Sequence, residues 1–140
     1  MGVRIEGLND VLSGLDNLEE AVKAQLISNM GKACALVERS AKQKAPKDTG
    51  ALRRSITSKV ETANNEVVGI VFTPLEYAPY VEFGTGLFAA NGDGRQTPWK
   101  YKDDKGKWHK TSGQHPQPFL FPALHDNRTQ ITKLLEKGIK

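Results

Sequence analysis

Cysteine is nearly absent: Cys34 is the single one in 140 residues. No internal disulfide can form, which suits a reducing compartment. Long apolar runs are absent too, and nothing approaches the ~20 residues that a membrane helix needs. The opening Met1-Gly2-Val3-Arg4-Ile5-Glu6 lacks the apolar stretch of a signal peptide. These absences predict a soluble protein that is not exported by the usual route. Apolar residues make up 38% and the mean hydropathy is -0.50, low enough for some segments to need a partner for order. A dominant charge sign is also missing. Lys and Arg number 20 against 16 Asp and Glu, for a net charge of +4. The two signs are mixed along most of the chain, so the surplus alone does not mark a nucleic-acid binder. The length suits one domain of roughly 100–200 residues, spanning 1–140. No internal repeat or low-complexity tract interrupts it.

The usual chemical constellations are missing as well. His109, His115 and His125 lack the close spacing of a zinc pair, and Cys34 has no partner cysteine. Ser40, Ser55 and Ser112 sit in no nucleophile-elbow context. Asp103 and Asp104 are adjacent; in a strand they would point to opposite faces, and in a turn they act as solvated caps. Gly84-Thr85-Gly86 lacks the Lys-Ser/Thr of a phosphate loop, and reads as a helix stop followed by a turn. The expectation is no metal, no cofactor, no catalytic residue and no enzymatic activity.

What is present is an α+β pattern. Val3-Arg4-Ile5 alternates as a short strand, and Leu8, Val11, Leu12 and Leu15 follow at helical spacing. Asp16 or Asn17 can cap a long helix, with Glu19 and Glu20 in its first turn. Leu18, Val22, Leu26, Met30, Ala33, Val37 and Ala41 form its apolar stripe. Lys42 and Lys44 suit its negative end, and Pro46 stops it. A helix of roughly seven or eight turns would overhang an ordinary core in so short a chain.

Strands are expected over residues 52–61 and 66–72, joined at Asn64-Asn65. The second, Val67-Val68-Gly69-Ile70-Val71-Phe72, is apolar enough to be central. Tyr80, Val81 and Phe83 make one helical turn, closed by Gly84. Residues 87–98 read as a mobile loop. Trp99-Lys100-Tyr101 and Lys107-Trp108-His109 flank a Gly-containing turn, the pattern of a second hairpin. Pro116, Pro118 and Pro122 lead into a last helix with Leu120, Leu124, Ile131, Leu134 and Leu135 on its apolar face. Together these predict an antiparallel sheet packed on the long helix and the C-terminal helix, with a loop-and-hairpin insertion over 85–114.

The hairpin carries the one surface signature. Lys100, Lys102, Lys105, Lys107 and Lys110 interleave with Trp99, Tyr101 and Trp108. Basic and aromatic residues together can bind single strands. Alternation equally suits a hairpin lying on a neighbouring subunit, with Trp99 and Tyr101 on one face and Lys100 and Lys102 on the other. The protein-interface reading is preferred; the rival is a nucleic-acid-binding or nuclease-associated protein using this hairpin.

Three segments in order resemble the HK97 gp10-like family of phage proteins. They are Ala45-Pro46-Lys47-Asp48-Thr49-Gly50-Ala51-Leu52-Arg53-Arg54-Ser55-Ile56, Tyr77-Ala78-Pro79-Tyr80-Val81-Glu82-Phe83-Gly84-Thr85-Gly86, and Pro118-Phe119-Leu120-Phe121-Pro122-Ala123-Leu124. The resemblance implies a small α+β virion protein of the neck or tail top, serving head–tail joining or tail completion. It implies assembly in the host cytoplasm, with no catalytic residues. Its implied partners are the connector, head-closure, tail-terminator or tail-tube proteins, and further copies of itself in a ring. In physical terms, Asp48, Thr49 and Gly50 would turn the chain from helix to sheet. Tyr77, Tyr80, Val81 and Phe83 would plug the short helix onto the sheet, and Gly84 and Gly86 would turn the chain away. Phe119, Leu120 and Phe121 would anchor the last helix.

Overall fold

The computed structural model describes residues 1–6, 20–46, 50–63, 66–90, 92, 94–103 and 105–138. Several expectations fall outside these residues: the segment from Leu8 to Leu15, the caps Asp16 and Asn17, Leu18 of the stripe, Glu19 of the first turn, Asp48 and Thr49, and the Asn64-Asn65 turn. The chain forms two compact units. One is Met1–Pro74 with Phe119–Lys140, and the other is Leu75–Pro118. The class is α+β.

The first unit is built on an antiparallel sheet of β1 (Gly2–Glu6), β2 (Thr57–Ala63) and β3 (Glu66–Phe72) in the order β1-β3-β2. The apolar run does occupy the centre. A side chain at Gly69 would collide with Cys34 Sγ and Met30 of the long helix α1 (Glu20–Lys44). That fixes the helix-facing side of β3, and alternation places Val67 and Val71 there as well. The register sets Val3 opposite Val71 and Ile5 opposite Gly69, so both β1 residues face α1, and both are buried. On the reverse side Ile70 lies between Arg4 and Lys59, and Val68 between Glu6 and Glu61. Lys59 pairs with Glu61 at 2.9 Å, and its ammonium lies 5.6 Å from the Phe72 ring centre. Charged residues with long aliphatic stems thus flank the apolar strip while their heads stay in water.

α1 buries Leu26, Met30, Ala33, Cys34, Val37 and Ala41, the middle and end of the expected stripe. Truncating Leu26 to Ala would cost about 2–5 kcal/mol on the usual scale for buried leucines. The expected overhang is not seen at the C-terminal end of the helix, whereas none of its first six residues, 20–25, is buried. Buried positions continue to Ala45, because the sheet and both C-terminal helices pack along α1. The stripe also holds one polar residue. Asn29 is buried, and its Nδ2 donates to the carbonyls of Leu135 at 3.2 Å and Lys137 at 2.8 Å.

Two element boundaries differ from expectation. Residues Ala51–Ser55 form a short helix α2, and the strand begins only at Thr57. Ala, Leu and Arg are strong helix formers, and Gly50 at φ 73 redirects the chain into that turn. Ser55 Oγ closes it by donating to the Leu52 carbonyl at 2.6 Å. The last helix is two, α4 (Leu120–Asp126) and α5 (Arg128–Glu136). The break falls at Asn127, whose Nδ2 donates to the Ala123 carbonyl at 2.7 Å and so satisfies a carbonyl at the end of α4.

The second unit starts with α3 (Ala78–Phe83), which Gly84 ends by donating its N–H to the Tyr80 carbonyl at 2.9 Å. A 3-10 turn over Gly86–Phe88 follows, then the two-stranded hairpin β4 (Trp99–Lys102) and β5 (Trp108–Thr111). The loop before β4 carries local bonds, such as Arg95 Nε to Thr97 Oγ1 at 3.1 Å.

Candidate assembly interface

The hairpin is held by one carboxylate. Asp103 Oδ1 accepts the N–H groups of Lys105 at 2.9 Å and Lys107 at 2.8 Å, closing the turn. Its Oδ2 accepts from His109 Nε2 at 2.7 Å. These bonds, the His109 one foremost, hold the Asp103 carboxyl below its ordinary value. His109 in turn stacks on Tyr101, ring centres 5.3 Å apart.

The register sorts the hairpin into two faces. Trp99 stands opposite Thr111 and Tyr101 opposite His109. Lys100 stands opposite Lys110, and Lys102 opposite Trp108. Side chains of directly opposed residues share a face. One face therefore holds Trp99, Tyr101, His109 and Thr111, and the other holds Lys100, Lys102, Lys110 and Trp108. The first is partly covered; every member of the second is exposed, Trp108 to 63%. Lys107 is exposed in the turn, outside the paired strands.

The base of the hairpin is tied to the glycine motif. Thr85 N–H donates to the Gln114 carbonyl at 2.9 Å, Leu87 N–H to the Ser112 carbonyl at 2.9 Å, and Gln114 N–H to Thr85 Oγ1 at 2.9 Å. Gly86 is required here. Its φ is 62, and any Cβ would strike the Ser112 carbonyl and the Gly113 backbone.

α3 does not plug its aromatics inward. Tyr77, Tyr80 and Phe83 are 43%, 60% and 41% exposed. A six-residue helix buries one narrow strip, and here it is Ala78 and Glu82, one helical turn apart. Tyr80 and Phe83 instead wall an open groove of about 560 Å³ with Gly84, Gly86 and Trp99, and Arg95 at its side. The Arg95 guanidinium lies 5.7 Å from the Trp99 ring centre. At the C-terminal motif, Phe119 and Leu120 are buried, but Phe121 is 48% exposed. Successive residues of a helix point about 100° apart, so the run cannot all face inward. Pro122 lies in the first turn of α4, where its missing N–H breaks no bond.

Cys34 is buried, and burial, helped by Glu38, pushes its thiol up to about 11; such a thiol is a poor nucleophile. Among the described residues no group of His, Cys, Asp and Glu is placed to hold a metal ion, and no helix is long and apolar enough to cross a membrane.

The chain matches the model of the HK97-gp10-like family, described as bacteriophage HK97-gp10, a provisionally assigned tail component, over residues 9–84. More than half of the chain lies in that match, and the protein belongs to this family of phage structural proteins. The matched stretch contains α1, the sheet strands β2 and β3, and α3. It ends where the glycine motif begins, so the hairpin lies beyond it. No curated protein and no solved structure matches the chain.

Proposed function

We propose that this protein completes the phage tail or joins it to the filled head, by docking and without enzymatic activity. The observation that carries this is the concentration of exposed large apolar side chains. Tyr77, Tyr80, Phe83, Leu87, Tyr101 and Trp108 all lie in the second unit; among the described residues only Ile27 and Phe121 are exposed elsewhere. Exposed aromatics around a groove mark a protein-binding surface. The partners are other neck or tail proteins, namely connector, head-closure, tail-terminator or tail-tube proteins. Copies of the chain would associate head to tail and close as a ring. The site of action is the neck or tail top of the virion, reached after assembly in the host cytoplasm.

A phage lacking this protein should accumulate heads and tails that do not join, or tails with faulty ends, seen by electron microscopy. Tyr80→Asp with Phe83→Asp should give the same defect while the purified protein keeps its Tm. Normal infectious particles without the protein would overturn the reading.

A further inference from the structure

The sequence alone ranked nucleic-acid contact below protein contact for this hairpin. The register shifts that weighting. On strand β4 the aromatics and lysines alternate between faces, but β5 contributes Trp108 to the lysine side. We propose that the outer face of the hairpin binds a nucleic-acid strand, with Lys100, Lys102 and Lys110 on its phosphates and the Trp108 indole stacked on an unpaired base.

Charge complementarity supports this occupant. Lys100 and Lys110 are directly opposed, and like charges so placed repel. No ion pair among the described residues involves either of them, nor Lys102, Lys105 or Lys107. The hairpin's described acid, Asp103, is already engaged by His109 and the turn N–H groups. Among the described residues the face thus keeps a cationic surplus that an external anion would relieve. Lys100 and Lys102 are two residues apart on one face, so they sit roughly 7 Å from each other along the strand. An acidic protein surface would also satisfy lysines; a strand answers both features of the face at once, the lysines and the indole among them, which is 63% exposed. A base has a π-face to lay on that ring, and a lysine-lined groove with exposed aromatics is how unpaired strands are held. An unpaired strand or duplex end fits better than an intact duplex, whose bases are already stacked.

The test uses the full-length protein and a fluorescein-labelled oligothymidine of about 15 nucleotides, with anisotropy read across a salt series. The wild type should bind, with affinity falling steeply as salt rises. Replacing Lys100, Lys102 and Lys110 with Ala should flatten the log–log slope by about two, at roughly 0.7 per phosphate contact. Trp108→Ala should weaken binding roughly five- to 150-fold with the slope unchanged, and Trp108→Phe should retain part of it. Matching Tm values would show that the fold survives. Absence of binding at about 50 mM salt would overturn the proposal. So would indifference to Trp108→Ala, or competition by polyglutamate at equal charge concentration. Head–tail joining measured on the same variants separates the two readings: joining that persists without strand binding leaves the assembly role intact.

Discussion

The tightest approach between helix and sheet is at Gly69, and it gives a sharp test of the core. A Cβ there would overlap Cys34 Sγ and come within 2.8 Å of Met30 Sδ. Met30 can rotate aside, since thioether side chains are adaptable. Cys34 is short and fixed on α1, so the helix itself must back away from β3. Overpacking of this kind costs about 1–3 kcal/mol. Alanine regains roughly 0.5–1 kcal/mol of strand propensity over glycine, but helix retreat loosens the whole stripe from Leu26 to Ala41. The net expectation for Gly69→Ala is a loss of about 2 kcal/mol, or a fall in Tm of roughly 6–10 °C for a chain of this size. Cys34→Ala makes room for the new methyl. Alone it should cost about 1 kcal/mol for the lost packing. Combined, the two substitutions should cost less than their sum by roughly 1–2 kcal/mol, the coupling expected of residues in contact. Urea titration of all four proteins gives the cycle, with m unchanged. Strict additivity, or a Gly69→Ala protein within 0.5 kcal/mol of wild type (about the scatter of neutral surface changes), would refute the helix placement.

Asn29→Ala should cost about 2–3 kcal/mol, because it leaves the carbonyls of Leu135 and Lys137 without their donor. Faster hydrogen exchange in α5 than in β3 would localise the damage, and equal protection in both would argue against it. Asp103 titrates below its ordinary value of 3.8 in the folded hairpin. Its contribution to hairpin stability is therefore fully present above that pH and lost as pH falls through the lowered value. Tryptophan fluorescence should show a hairpin transition below pH 3.8 that Asp103→Asn removes; an identical acid transition in the variant would contradict this. Gly86→Ala should unseat the base of the hairpin, seen as rapid proteolysis within residues 99–111, while β1 to β3 keep their exchange protection. An unchanged cleavage pattern would count against the packing at Ser112 and Gly113.

Much of the first unit was legible because its signals are periodic. The stripe of α1 follows the helical repeat, and β3 reads as central because its residues are apolar on both faces. What escaped was set by contacts distant in sequence. Asn29 drew no notice beside the stripe, because nothing local announces that the C-terminal helix ends 106 residues away, at its amide. The start of β2 was placed too early because Leu52 suits either state, and Gly50 turned the balance toward helix. In the motif 77–86 the aromatics attracted the core assignment, yet Ala78 and Glu82 took the buried strip. Hydrophobicity ranked those residues, whereas the phase of a six-residue helix is fixed by the glycine turn that ends it. The hairpin's strands and the two faces of β4 were legible, but the side that Trp108 joins was not, since pairing it with Lys102 depends on the length of the turn.

The glycine motif explains how a contact surface can be carried on this scaffold without disturbing it. Thr85 and Gln114 are 29 residues apart, and they are joined through both a backbone bond and the Thr85 hydroxyl. Their bonds bring the two ends of the intervening chain side by side. The entropy of closing that loop is met at its base and grows only slowly with the length between. Between those ends the Asp103 turn holds the hairpin. Tyr101 and Trp108 stay exposed there, and among the described residues no ion pair engages the hairpin lysines. The family match stops at Gly84, on the near side of this clasp. The matched part fixes where the surface is held. On the proposed reading the chain beyond the clasp adds Tyr101, Trp108 and the lysines to the contact surface, so exchanging residues 88–111 should change what is bound and leave the stability of the first unit intact.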